Sequence, residues 1–143
     1  MNLEPLNDNH RFYGRRKGRK ISQSAILAFK KGDKFMINYD EFPDIFNKIK
    51  KKIILEIGFG DGKNLILSAK ENPDYLYIGA DPFLNTNVKC LKKILENNLE
   101  NIKIWPDDIR KVLKFFPSSC ISKVIILFPD PWPKLKHKKR RLI

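Results

Sequence analysis

One sequence feature limits the fold more than any other: from residue 53 onward, short runs of β-branched and other apolar residues alternate with segments of helical periodicity. A shorter helix is expected from Asp44, and another from Ser22. Such alternation with short links is typical of an α/β fold with a parallel sheet. The main predicted strands are 53–57, 75–79, 102–105 and 123–128. The main predicted helices are 63–71, 85–97 and 108–116. Ligands of parallel sheets bind beyond the carboxyl ends of the strands, so these positions hold the candidate functional residues.

The first predicted strand ends in a glycine-rich loop, EIGFGDG at 56–62. Glycines at alternate positions allow a tight turn and let the backbone approach a ligand closely. The spacing differs from the dinucleotide-binding fingerprint, in which the third glycine lies three residues after the second. Many turns are glycine-rich for steric reasons only, so the loop alone is weak evidence of a site.

Carboxylates follow the next two predicted strands. Asp81 lies where it can accept hydrogen bonds from both hydroxyls of a ribose, and Asp108 lies where it can accept one from an adenine amino group. Each acid also has a structural explanation, because Asp81 precedes a proline and Asp107 or Asp108 can cap a helix. With Glu56, three acids at three successive strand ends favour a nucleoside-binding site.

The fourth predicted strand leads into a proline-rich loop, FPDPWPK at 128–134. Three prolines at alternate positions fix φ and are expected to keep the loop extended, with Asp130 and Trp132 in defined places. The alternative is a proline-rich exit to a disordered tail, which explains neither the acid nor the ring. Trp132 can stack on a base or pack against the sheet, and packing is the commoner fate of a lone tryptophan.

Positive charge is concentrated at the two ends of the chain, whose net charge is +13. Residues 1–34 hold 9 basic and 3 acidic side chains, and residues 134–143 hold 6 basic and none acidic. Two separated basic clusters favour a nucleic acid over a merely solvated surface, and charge alone leaves a membrane surface as an alternative. The sequence shows no secretory signal, and Cys90 and Cys120 lack metal-ligand spacing, which predicts reduced thiols in the cytoplasm and no metal.

Taken together, LEIGFGDG, the acids at 81 and 108, and FPDPWPKLKHKKRRLI resemble the bacterial tRNA (guanine-N7-)-methyltransferases. FYGRRKGRKIS is similar to the basic arm that many members have. The resemblance implies the class I, Rossmann-like methyltransferase fold with strand order 3-2-1-4. It also implies transfer of a methyl group from S-adenosylmethionine (SAM) to N7 of guanine 46, in the variable loop of tRNA.

By the same resemblance, SAM contacts fall on Glu56, Gly58, Asp81, Asp108 and Asp130, and Asp130 is also the catalytic residue. One departure is minor, since the family more often has Glu where this chain has Asp81. The implied RNA contacts are Lys134, Lys136, His137, Lys138, Lys139, Arg140 and Arg141.

The expected organisation is a basic N-terminal arm at 1–34, a SAM-binding α/β domain at 35–133 and a polybasic RNA-contacting segment at 134–143. The resemblance covers only the first two-thirds of a family member, so the sheet is expected to stop after its fourth strand. The expected partners are tRNA and a separate C-terminal complementing fragment, with no membrane. The alternatives are a non-catalytic tRNA-binding remnant or half of a split enzyme, and a nicotinamide-dependent oxidoreductase, which the glycine spacing disfavours.

Overall fold

The structure, a computed structural model, describes residues 22–142. Four parallel strands form one sheet in the order β3-β2-β1-β4, which confirms the predicted α/β fold and strand order. The strands are β1 Ile53–Ile57, β2 Leu76–Ala80, β3 Ile102–Trp105 and β4 Ile121–Ile126. The helices are α1 Gln23–Gly32, α2 Phe42–Lys48, α3 Lys63–Glu71 and α4 Leu84–Glu96. Short 3-10 turns lie at Asp33–Phe35, Ile109–Lys111, Leu113–Phe115 and Leu135–Arg140.

The strand register aligns the carboxyl ends of all four strands at one edge of the sheet. Ile57, at the end of β1, pairs with Ala80 of β2 on one side and with Ile126 of β4 on the other. Ala80 in turn pairs with Trp105, at the end of β3. The chain passes from β1 outward to β3 and then returns to the opposite side of β1. This reversal is the position at which open α/β sheets bind ligands.

Both faces of β1, β2 and β3 are largely buried, as is usual for parallel strands, whereas β4 is partly exposed. Side chains alternate along each strand, so Ile54 and Tyr77 face the core that α3 and α4 cover. Leu55 and Ile78 face the second core, which includes residues of α2 and of the segment after β3. Because successive side chains of β1 and β2 enter cores on opposite faces of the sheet, both strands are nearly continuous apolar runs in the sequence.

The predicted helix at 108–116 is wrong, because two 3-10 turns occupy this segment. Phe115 and Phe116 both join an aromatic cluster around the fully buried Phe42, at ring-centroid distances of 6.3 and 5.3 Å. An α-helix would point neighbouring side chains about 100° apart, so the shared packing favours an irregular backbone. Pro117 then ends the segment. Packing against a residue distant in sequence has overridden local helical periodicity.

The fourth strand begins and ends two residues earlier than predicted. Ile121 pairs with Ile53, and the register shifts before the next pair of residues, Ile54 and Lys123. At the other end, Phe128 has φ 51°, in the left-handed region that ends an extended strand. The predicted bounds of β2 and α4 differ from the observed ones by one residue at each end.

The N-terminal part of the described chain is attached to the outer surface of α4. Ser22 caps α1, its hydroxyl accepting a hydrogen bond from the N–H of Ala25. Ala25 and Ala28 are buried against Val88 of α4. This helix was expected, and it lies within the predicted basic arm. Residues 1–21 of that arm lie outside the described residues, and the domain boundaries stay predictions.

Candidate active site

A cleft of about 280 Å³ opens at the carboxyl edge of the sheet. Four of the five predicted cofactor contacts line it: Gly58, Asp81, Asp108 and Asp130. They come from four separate segments, each placed there by the strand before it. The fold therefore brings together residues that are as many as 72 positions apart in the sequence.

The glycine loop exposes its backbone to this cleft. Gly58 and Gly60 have φ of 71° and 57°, in the left-handed region that glycine adopts without steric cost. A Cβ added at either position would have no heavy atom within 4 Å. Gly58 also donates its N–H to the carbonyl of Ala80 at 2.7 Å. The loop is thus fixed to the end of β2 and leaves open space where a ligand can approach.

Asp81 joins the end of β2 to the glycine loop. Its side chain is buried, one carboxylate oxygen accepting from the N–H of Phe83 at 2.8 Å and the other from the N–H of Gly60 at 3.2 Å. Burial raises the pKa of this carboxyl above 3.8, and the two backbone hydrogen bonds act in the opposite direction. Each carboxylate oxygen has a second lone pair, so Asp81 can also accept hydrogen bonds from a ligand in the cleft.

Glu56 lies behind the cleft wall and is not one of the residues that line the cleft. It is 2% exposed, and its carboxylate accepts a hydrogen bond from Nδ2 of Asn64 in α3 at 2.9 Å. Burial raises the pKa of Glu56 above 4.5, and the hydrogen bond from Asn64 opposes this shift. The observed contact joins β1 to α3, whereas the predicted contact with SAM stays a prediction.

The start of α3 approaches α4 closely at Gly62. Gly62 has φ 74°, and an added Cβ would lie 2.7 Å from Sγ of Cys90. Burial raises the pKa of Cys90 to about 12, so this thiol stays protonated. Cys90 is therefore a packing residue that determines how near the glycine loop lies to α4.

Asp108 caps the turn that follows β3 and also forms an ion pair. Its carboxylate accepts from the backbone N–H of Arg110 at 2.9 Å, and Nε and one terminal nitrogen of the same arginine donate to both oxygens. The capping explanation is thus correct, and the carboxylate nevertheless faces the cleft. Sequence reasoning did not identify Arg110, which also lines the cleft, because an arginine two residues after an acid has no distinctive pattern.

The proline-rich loop after β4 is not extended throughout, contrary to the expectation. Phe128 and Trp132 have φ of 51° and 38°, and each precedes a proline. Left-handed backbone at a non-glycine residue costs about 1–3 kcal/mol and is concentrated at functional sites. The two bends place the exposed Asp130 and the half-buried Trp132 at the cleft.

The basic segment folds back on this loop and divides into two sets. The guanidinium carbon of Arg140 lies 5.0 Å from the ring centroid of Trp132, and the ring of His137 meets Trp132 edge-on at 5.5 Å. Nε of Arg141 donates to the carbonyl of Trp132 at 3.2 Å. Arg140 thereby also lines the cleft. The exposed set is Lys134, Lys136, Lys138 and Lys139.

A parallel sheet in the order 3-2-1-4, with a glycine loop after β1 and acids after β2 and β3, places this chain in the methyltransferase class. The chain belongs to the methyltransferase family described as "Putative methyltransferase", whose pattern matches residues 50–143. The fold is also similar to that of a solved structure described as an antibiotic related methyltransferase. That match has a TM-score of 0.53 and 23% identity, and it covers 66% of this chain and 48% of the other.

Two curated relatives share the name tRNA (guanine-N(7)-)-methyltransferase. The protein of Hyphomonas neptunium is 40% identical over 138 residues, covering 93% of this chain and 63% of the relative. That of Neorickettsia sennetsu is 35% identical over 133 residues, covering 93% and 58%. A "Bifunctional methyltransferase" of Rickettsia prowazekii is 38% identical over 99% of this chain and 27% of its own length. The chain thus spans about 60% of the length of the first two relatives.

Proposed function

We propose that the chain acts in a tRNA (guanine-N7-)-methyltransferase, which transfers a methyl group from SAM to N7 of guanine 46 in the variable loop. One observation supports this most strongly: the cleft holds Gly58, Asp81, Asp108 and Asp130 at the carboxyl edge of the sheet, beside a segment of exposed lysines. The names of the two relatives support the substrate and the position of the methyl group on the base.

The residues of the cleft fit the adenosine part of SAM. A Cβ at Gly58 would occupy open space, so a flat or extended ligand can lie against that backbone. Asp81 would accept from the ribose hydroxyls, and Asp108, which Arg110 holds in place, would accept from the adenine amino group. When bound, SAM supplies a methyl group on a positively charged sulfur.

Guanine N7 is the nucleophile and needs no base, because it has a free lone pair in the neutral purine. With SAM bound, the lone pair would form the new N–C bond as the C–S bond breaks, and the electron pair of that bond would return to sulfur. Positive charge would therefore move from sulfur to the purine. Asp130, exposed at the cleft, favours the purine as it becomes cationic, and the remaining task of the site is alignment.

The exposed lysines of the basic segment are the proposed contacts to tRNA phosphates. Lys134, Lys136, Lys138 and Lys139 point to solvent, and each phosphate contact would release condensed counterions. Across residues 22–142, no helix has the length and apolar character to cross a membrane. We propose the cytoplasm as the compartment, since tRNA is the substrate.

A second candidate function, a tRNA-binding remnant or half of a split enzyme, is favoured by the surface of β4. Val124 of β4 is 50% exposed, and Leu127, the residue directly after the strand, is 43% exposed, although strands of parallel sheets are normally covered on both faces. A separate C-terminal complementing fragment is the proposed partner for this surface. Size-exclusion chromatography of the chain with and without the C-terminal part of the Hyphomonas neptunium protein tests it. A stable 1:1 complex supports the proposal, and a chain that elutes as a monomer with or without the fragment contradicts it.

A methyl-transfer assay tests the main proposal. Radiolabelled SAM is supplied with an unmodified tRNA transcript or with the same transcript bearing adenine at position 46, in the presence and absence of the fragment. Label is expected only in the first transcript, and Asp130→Asn is expected to abolish it. Asp74→Asn, an exposed control at the opposite edge of the sheet, should leave it unchanged.

Calorimetry that measures the affinities for SAM and for NAD can contradict the proposed methyltransferase function. Binding of NAD in place of SAM would move the chain to the oxidoreductases. Binding of SAM and tRNA without methyl transfer, even when the fragment is present, would favour the non-catalytic remnant.

A further inference from the structure

Trp132 is a large aromatic residue outside the hydrophobic core. In residues 22–142 it belongs to none of the three clusters of buried apolar side chains. Its ring is half-buried at the cleft, two residues after Asp130. Trp132 therefore does not pack into the core of the sheet, which was one of the two expected roles of this residue. The ring instead lies where the base of an RNA substrate would meet the cofactor cleft.

Two side chains of the basic segment contact this ring, one cationic and one an imidazole. The guanidinium of Arg140 lies over the indole at 5.0 Å from the ring centroid, and His137 meets it edge-on. A guanidinium is planar and its charge is delocalised, so its position over the ring is a cation–π contact. The indole face is thus a surface that holds a flat cation at the mouth of the cleft.

The backbone holds this surface in a defined direction. Trp132 has φ 38° and lies between two prolines, Pro131 and Pro133. Nε of Arg141 donates to its carbonyl at 3.2 Å. A left-handed tryptophan persists only where the surroundings impose it, which is common where a side chain must be placed for a ligand. The ring is accordingly oriented before any ligand arrives.

We propose that Trp132 is the platform on which the target guanine stacks, and that Arg140 occupies this position until tRNA binds. The inference rests on the proposed function, because the purine acquires positive charge only if N7 is methylated. A purine methylated at N7 is, like guanidinium, a flat delocalised cation. Stacking on the indole therefore strengthens as the methyl group moves, and interactions that strengthen in the transition state raise the rate. Phosphates of the arriving tRNA are the competing ligand for Arg140, since guanidinium binds phosphate in a bidentate manner.

The test uses the full chain labelled with 5-fluorotryptophan, which gives one ¹⁹F resonance for each of Trp105 and Trp132. Trp132→Phe assigns the two signals, and the buried Trp105 reports on the integrity of the fold. The labelled chain is titrated with 7-methylguanosine, at mildly acidic pH where it is cationic, and with guanosine. Only the Trp132 resonance is expected to shift, and the cation should bind about 3- to 10-fold more tightly than guanosine.

Variants of Arg140 and Trp132 test the role of each residue in binding 7-methylguanosine separately. Arg140→Gln removes the competing cation and should tighten 7-methylguanosine binding about 2- to 10-fold. The matched control Lys70→Gln removes an exposed charge in the last turn of α3 and should leave this affinity unchanged. Ligand-detected NMR extends the comparison to Trp132→Ala, which should lose the preference for the cation, and to Trp132→Phe, which should keep part of it.

Equal affinity for the two nucleosides, a shift at Trp105 instead of Trp132, or weaker binding to Arg140→Gln would each overturn the inference. Methylation of tRNA by Trp132→Ala at an unchanged kcat would also overturn it, while leaving the proposed function intact. Conversely, the preference for the cation without SAM binding or methyl transfer would contradict the proposed function and leave the platform in place.

Discussion

The carboxylate of Asp81 and the backbone N–H of Gly60 are joined by a hydrogen bond of 3.2 Å, which ties the end of β2 to the loop after β1. The other carboxylate oxygen is held by the N–H of Phe83. Asp81 is thus oriented at the cleft wall before a ligand binds. The geometry means that one side chain both shapes the glycine loop and lines the cleft with hydrogen-bond acceptors.

We expect Asp81→Ala to weaken SAM binding far more than tRNA binding. Loss of hydrogen bonds to a charged acceptor costs about 1.5–3 kcal/mol, or roughly 10- to 150-fold in affinity. Calorimetry measures the first affinity and filter binding the second. Asp61→Ala is the control, because Asp61 is exposed in the same loop and pairs with Lys93. A similar loss of both ligands would instead indicate damage to the fold.

Substitution of Glu56 is expected to change how stability depends on pH. Burial raises the pKa of Glu56 in the folded chain, so the folded state holds this proton to higher pH than the unfolded state does. The contribution of Glu56 to the free energy of unfolding therefore falls as pH rises above its ordinary value of 4.5. Gln can still accept the hydrogen bond from Asn64 and has no charge to bury.

The measurement is urea unfolding of the wild type and Glu56→Gln from about pH 4.5 toward neutrality, the window that starts at the ordinary value. The stability of the variant relative to the wild type should increase with pH. Glu96→Gln, at an exposed position, corrects for the loss of one negative charge. A relative stability that decreases with pH would contradict the assigned direction of the shift.

Alanine at two glycines of the loop should separate backbone strain from steric overlap. Gly60→Ala places a Cβ in open space at φ 57° and should cost about 1–2 kcal/mol of unfolding free energy. Gly62→Ala adds an overlap with Cys90 and should cost about 1–3 kcal/mol more. Adding Cys90→Ala to Gly62→Ala should relieve the overlap with Sγ and leave the strain and the 3.0 Å contact with Cβ of residue 90. Equal destabilisation by the two single substitutions would show that Cys90 does not restrict the loop.

Removing the charges of Lys138 and Lys139 should weaken tRNA binding and flatten its dependence on salt. Both side chains are exposed and lie outside the contacts around Trp132. Each lost phosphate contact should reduce the slope of log affinity against log salt by roughly 0.7–0.9. Substituting Gln for Lys50 and Lys52, at the opposite edge of the sheet, removes the same charge as a control. An unchanged slope in the first variant would show that these lysines do not meet phosphate.

Much of the fold was predictable from the sequence, because the ends of several strands and helices are marked by residues next to them in the chain. The bounds of β1, α3 and β3 match the sequence prediction, since apolar runs, the glycine loop and Asn72-Pro73 mark their ends locally. The segment after Asp108 was not predictable in this way. Its backbone depends on the packing of Phe115 and Phe116 against Phe42, about seventy residues earlier in the chain.

The candidate site shows the same division. The acids at 81 and 108 were predicted to converge, because parallel strands bring their carboxyl ends to one edge of the sheet. The contact of Arg140 with Trp132 was not predicted, because it requires the chain to reverse at a left-handed residue. No local propensity favours φ 38° at a tryptophan, so sequence periodicity gave no indication of this turn.

The cleft wall rests on an aromatic residue outside every recognisable motif. Phe42 packs edge-on against Trp105 at 5.4 Å, and the indole N–H of Trp105 donates to the carbonyl of Asp108 at 3.0 Å. A natural variant at position 42 would thus be scored as neutral by any method that weighs only the glycine loop and the acids. Loss of this ring would nevertheless disturb the cleft wall, because Phe42 supports Trp105 and Trp105 holds the carbonyl of Asp108.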